Sequence, residues 1–161
     1  MLSSRGPMLE RAWHTLVGKV MGFVSPHMRW LGLEFVSMER GRCVVKIPYR
    51  AECVGDPATG VFHGGVVTSL LDSAGGGAVV SAIGVPTPIA TLDLRIDYLR
   101  PSTPGEPLFA EVECFKLTHH VAFTRGTAYN GDKSDPVAAM SATYMLRTTT
   151  MPRDGSDGGG T

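Results

Sequence analysis

A single carboxylate, Asp72, interrupts a long uncharged stretch: between Gly64 and Leu92 no other side chain ionises. It lies nine residues after the histidine of His63-Gly64-Gly65. An isolated acid in apolar surroundings costs desolvation energy, and perturbed acids of this kind gather at functional sites. Asp72 is therefore the first candidate for chemistry. The second is the glycine pair, because a helix that starts there has N–H groups at its positive end without intrahelical partners. Such amides can polarise a carbonyl. Glycine has no Cβ to hinder an approaching oxygen, and one preorganised donor contributes roughly 3 to 4 kcal/mol to a developing oxyanion.

The elements that must position these groups follow from periodicity. From Gly64 to about Ala82, Val66, Val67, Leu70, Leu71, Ala74 and Ala78 recur at helical spacing, with Asp72 pointing roughly away from that face. Gly75, Gly76 and Gly77 each weaken such a helix by roughly 1 kcal/mol relative to alanine, so another backbone must come close, either a wrapped sheet or a partner helix. Beyond Pro86 and Pro88 the chain alternates, with Leu92, Leu94, Ile96 and Tyr98 on one side and Thr91, Asp93, Arg95 and Asp97 on the other. Three more strands fit Leu108 to Leu117, Val121 to Asn130 and Val137 to Arg147. Upstream, an amphipathic helix is expected around Leu9 to Phe23, broken by Pro26. A hairpin follows from Gly32 to Met38 and Cys43 to Pro48 about Glu39-Arg40-Gly41, and then a loop with Gly55, Asp56, Pro57 and Gly60. The fold class is α+β: a curved antiparallel sheet wrapped about one long central helix, a single domain over 1–150, and a disordered tail over 151–161.

Composition excludes several functions. The 161 residues carry a formal net charge of zero, and no basic patch suited to nucleic acid stands out. Cys43, Cys53 and Cys114 are an odd number without metal-ligand spacing, which fits reduced thiols; no apolar run reads as long enough to cross a bilayer. Arg5, Arg11 and Lys19 against Glu10 imitate a mitochondrial presequence only weakly, and a cytoplasmic protein is the expectation.

Gly60-Val61-Phe62-His63-Gly64-Gly65, Asp72, Thr91-Leu92-Asp93-Leu94 and Tyr98-Leu99-Arg100-Pro101 together resemble the hotdog-fold acyl-CoA thioesterases of the phenylacetate-pathway, or PaaI-like, type, over roughly Leu31 to Leu146. The resemblance implies hydrolysis of an aromatic or medium-chain acyl-CoA, with the Gly64 amide as oxyanion donor. Asp72 is implied as general base on water, or as nucleophile giving a transient mixed anhydride. It also implies that His63 and Gly65 hold substrate or loop beside the carbonyl and that Thr91 orients the water. Asp93, Tyr98, Arg100, Lys116 and His119 become candidates for binding substrate, the last three through coenzyme A phosphates. In relatives acid and amide come from different subunits, which implies a homodimer or a dimer of dimers. No cofactor is implied beyond the coenzyme A of the substrate, and neither nucleic acid nor membrane is an expected partner. Pro57 departs from the pattern, standing where several relatives carry an asparagine that assists with the carbonyl. His119-His120 lacks the further ligands of a metal site.

Two other readings use the same residues. A non-catalytic acyl-CoA sensor would bind in the same cleft without turnover, and a hydratase of the same fold would set a histidine against the acid in a different pattern.

Overall fold

Twenty residues, Gly64–Ile83, form the helix around which everything else is arranged. The protein is described here by a computed structural model covering residues 25–85 and 87–146; the helix expected around Leu9 to Phe23 and the tail over 151–161 lie outside them. The elements are α1 (Pro26–Leu31), β1 (Glu34–Glu39), β2 (Arg42–Ile47), a 3-10 turn (Ala51–Cys53), β3 (Val54–Asp56), β4 (Val61–Phe62) and α2 (Gly64–Ile83). They are followed by β5 (Ile89–Tyr98), β6 (Leu108–Leu117), β7 (Val121–Tyr129) and β8 (Ala138–Leu146). The main sheet is antiparallel throughout, in the order β1-β2-β6-β7-β8-β5, and β3 and β4 form a small second hairpin in the expected loop.

The sheet curls around α2, which touches all six of its strands. Apolar residues buried along the helix, Leu70, Leu71, Ala74, Ala78 and Val79 among them, meet Val45, Ile47, Leu108, Val112 and Tyr144 from the sheet. A helix that is apolar nearly all round belongs in a core. By length and composition α2 is also apolar enough to cross a bilayer, contrary to the sequence expectation, yet 67% of the qualifying window is buried inside the fold.

The glycines explain how the sheet comes so close. A Cβ on Gly75 would lie 2.1 Å from the Tyr144 hydroxyl, and one on Gly77 would lie 2.6 Å from Cys43 Sγ. At these two positions the missing side chains serve packing under the sheet.

Pro26 opens α1, occupying its first turn, where its missing N–H costs no hydrogen bond; the helix it is expected to break lies outside the described residues. One local reading is corrected. In β5 the simple alternation fails, because the pairing with β8 shifts between Thr91 and Asp93. This bulge turns Leu92 outward, 56% exposed, and puts Thr91 on the same inner face as Leu94 and Ile96.

Candidate active site

Asp72 sits in the middle of α2, away from the apolar face as its spacing requires, but not in open solvent. Its Oδ1 accepts hydrogen bonds from Thr91 Oγ1 at 2.9 Å and from the Tyr144 hydroxyl at 3.2 Å. The first depends on the β5 bulge, since strict alternation would send Thr91 to the outer face. Tyr144 is 1% exposed and also reaches the Asp72 carbonyl at 3.1 Å. Burial, and then the charge of Asp72, push the Tyr144 phenol far up from its ordinary value near 10, so it stays protonated and acts as a donor. Among the described residues, Oδ2 of Asp72 has no hydrogen-bond donor and remains free to take a proton.

The carboxylate lines a cavity of about 240 Å³ shared with Met28, Leu33, Phe35, Gly76, Ile89, Thr91 and Tyr144. α1 forms one wall: His27 Nε2 meets Ser69 Oγ at 3.1 Å, and Ser73 Oγ donates to Met28 Sδ at 2.9 Å. A larger groove of about 560 Å³ lies on the outer face of the sheet, but Arg42 and Lys133 there pair with Glu111, and Arg125 with Glu113. Each of its charged side chains is already engaged in an ion pair, whereas the smaller cavity holds a carboxylate with an oxygen left over, so the smaller cavity is the better candidate for chemistry.

The start of α2 is built by His63, Gly64 and Tyr98. His63 is the N-cap: its Nδ1 accepts the Gly65 N–H at 3.0 Å, a geometry that assigns the proton to Nε2. The Tyr98 hydroxyl donates to the Gly64 carbonyl at 2.8 Å, and Thr68 Oγ1 donates to the same oxygen at 3.0 Å. The Gly64 N–H has no acceptor among the described residues. Eight residues at 1.5 Å each separate it from Asp72, about 12 Å along one helix, too far for both to act on one carbonyl.

Comparison with known proteins gives the family in which these groups are found. Residues 59–137 match the model of the thioesterase superfamily. The chain is 31% identical over 144 residues to the medium/long-chain acyl-CoA thioesterase YigI of Salmonella typhimurium, covering 81% of this chain and 92% of that protein. The chain belongs to the thioesterase superfamily. It has the hotdog fold of that superfamily and is a thioester hydrolase. Among solved structures, a mutant of the phenylacetic acid degradation protein PaaI from Thermus thermophilus is 30% identical with a TM-score of 0.66, covering 75% of this chain and 98% of that one. A thioesterase family protein from Silicibacter pomeroyi is 25% identical with a TM-score of 0.72, covering 83% and 97%.

The remaining candidate residues of this thioesterase are scattered. Asp93 and Lys116 share one row across β5, β8, β7 and β6, on the outer face. Arg100 lies seven residues beyond Asp93, about 23 Å along the strand direction. Its guanidinium is engaged by Asp135, with Nε 2.8 Å from Oδ2 and NH2 2.8 Å from the carbonyl oxygen. His119 packs on His120 in the β6–β7 turn, ring centroids 4.4 Å apart, at the opposite end of the sheet from Arg100. One chain does not gather Arg100, Lys116 and His119 around a single nucleotide. At the departure from the family pattern, Pro57 occupies an exposed turn in which Asp56 accepts bonds from Ala58 N at 3.0 Å and Thr59 Oγ1 at 2.9 Å.

Sequence reasoning missed Tyr144, which reads as one more apolar position in an alternating strand. It also missed the α1 wall supplied by Met28, since short helices opened by proline carry little periodicity.

Proposed function

We propose that this thioesterase hydrolyses medium-chain or aromatic acyl-CoA, with Asp72 as general base. The observation that carries the reading is the Asp72 carboxylate, held at Oδ1 by two hydroxyls, without a donor at Oδ2 among the described residues, and lining a cavity with Met28, Leu33, Phe35 and Ile89. Oδ2 takes a proton from water as the hydroxide oxygen adds to the thioester carbonyl. The negative oxygen of the tetrahedral intermediate is met by the Gly64 N–H, reinforced by the positive end of α2. Collapse expels the coenzyme A thiolate, and the proton held by Asp72 passes to it or to solvent. The thioester is already activated, so the step needs no external cofactor.

The 12 Å between Gly64 and Asp72, about eight residues of helical rise, supports a site shared between two copies. Two α2 helices side by side and antiparallel would set the Gly64 of one against the Asp72 of the other. The side of α2 carrying Gly65, Ser69 and Asp72 is only partly covered within one chain, and β5 is an edge strand with Leu92 and Tyr98 exposed. An open ten-residue edge of this kind invites pairing. A homodimer, or a dimer of dimers, is the assembly we propose.

For the acyl group, the 31% identity to a medium/long-chain acyl-CoA thioesterase and the 30% identity to a phenylacetic acid degradation protein support chains of medium length or a single ring. The test is kcat/KM for thiol release across straight-chain and aromatic acyl-CoAs. We expect a maximum at medium length or at a single-ring acyl group. A flat profile, or a maximum at long chains, overturns the substrate assignment. Tight acyl-CoA binding with no release overturns the reaction in favour of a sensor.

A further inference from the structure

We propose that Tyr144 is a positioning residue for Asp72, and that position 75 is glycine in order to admit it. The inference rests on the reading of Asp72 as the base.

Three observations carry it. First, Asp72 and Gly75 are three residues apart on α2 and so lie on the same side of the helix. Second, the space where a Cβ of residue 75 would stand is filled by the Tyr144 hydroxyl, 2.1 Å from that position, with Cζ at 2.9 Å and Cε2 at 3.2 Å. No side chain larger than hydrogen fits while the tyrosine keeps its place. Third, from that place the hydroxyl reaches both the carbonyl of Asp72 at 3.1 Å and its Oδ1 at 3.2 Å. It grips backbone and side chain of one residue.

A phenol carries one proton, here shared between the Asp72 carbonyl and Oδ1, while its ring, deep in the core, cannot follow the carboxylate if that rotates. Thr91 donates to the same oxygen from the opposite strand, β5. With Oδ1 engaged from β8 and from β5, rotation about the Asp72 side-chain bonds is restricted and Oδ2 is left facing the cavity. A carboxylate with only the threonine would sample orientations in which Oδ2 turns away from the water. The glycine is the cost of this arrangement to the helix, which alanine would favour.

The test is steady-state kinetics of thiol release on Tyr144→Phe, Gly75→Ala, the double variant and Asp72→Asn, with thermal melting as a check on folding. Tyr144→Phe keeps the ring and removes only the hydroxyl. It is expected to lower kcat about tenfold, the scale of one hydrogen bond to a charged group, with KM within about twofold. Gly75→Ala displaces the hydroxyl without deleting it and is expected to lower kcat similarly. In the Tyr144→Phe background it should lower kcat no further, because the contact it disrupts is already gone. A merely structural tyrosine would instead lower the melting temperature and leave kcat alone. Wild-type kcat in Tyr144→Phe beside an inactive Asp72→Asn overturns the proposal while leaving Asp72 as the base. A raised KM with kcat retained overturns it by making Tyr144 a wall of the acyl site. An active Asp72→Asn removes the base itself, and this proposal falls with it.

Discussion

Replacing Gly64 by proline removes the proposed oxyanion donor with little damage to the helix. Gly64 is the first residue of α2, where proline is tolerated, and its φ is not positive. His63 before it has φ −62° and ψ 137°, the extended conformation a following proline requires. A Cβ at position 64 would lie 3.2 Å from the Tyr98 hydroxyl. Gly64→Ala makes the same contact and keeps the N–H, so the ratio of the alanine to the proline variant isolates the hydrogen bond. Loss of one oxyanion donor costs about 10² to 10³ in kcat, or about 2.7 to 4 kcal/mol. The same variant tests the sharing of the site between copies. When Gly64→Pro and Asp72→Asn chains are unfolded, mixed in equal amounts and refolded together, half of the dimers contain one of each. Each mixed dimer has one site with both groups intact, so about a quarter of wild-type thiol release should return. No recovery above the separate variants, with mixed dimers verified by mass, would refute the shared site. Equal rates for the alanine and proline variants would refute the amide as donor.

Other consequences follow from the packing. Gly77→Ala drives a Cβ to 2.6 Å from the fully buried Cys43 Sγ; overpacking of about 1 to 3 kcal/mol outweighs the roughly 1 kcal/mol gained in helix propensity, so chemical denaturation should show a net loss. Arg100→Ala breaks the link from the end of β5 to Asp135 and should lower stability by about 1 kcal/mol while moving KM for acyl-CoA less than twofold. Burial pushes the Cys43 thiol up to about 12. The folded state therefore holds that proton after the unfolded chain has lost it, so the associated stability is intact below about pH 9. It is lost at up to about 1.4 kcal/mol per pH unit as pH climbs toward 12, and Cys43→Ala should flatten that slope in denaturation measured against pH.

The architecture was legible because the strongest periodicities coincide with its largest elements. The expected helix from Gly64 to about Ala82 differs from the observed one by a residue, since glycine marks both its start and, at Gly84, its left-handed end. The strand Leu108–Leu117 carries clear turn signals on either side and has the expected bounds. Where pattern failed, tertiary pairing had overridden it. Alternation through β5 assumes an unbroken ladder, and the bulge at Leu92 is a property of the pairing with β8 that β5 alone does not encode. Asp72 was conspicuous through its isolation, whereas its environment depends on Thr91 and Tyr144, distant in sequence. One signal of Tyr144 was present: a glycine three residues after the isolated acid leaves a hole beside it that some side chain must fill. Arg100, Lys116 and His119 suggest phosphate binding by charge, by the resemblance and by lying near strand ends, but none of these says which end of the sheet each residue reaches, and strand direction keeps Arg100 far from the other two.

The central claim is that Asp72 activates the attacking water, and single-turnover thiol release by Asp72→Asn on the best acyl-CoA tests it most directly. Asparagine keeps the size of the side chain and an oxygen for Thr91 and Tyr144 while giving up the base. The account predicts an intact melting profile, retained acyl-CoA binding and a release rate lower by about 10² to 10⁴. Release at the wild-type rate by the folded variant would contradict it.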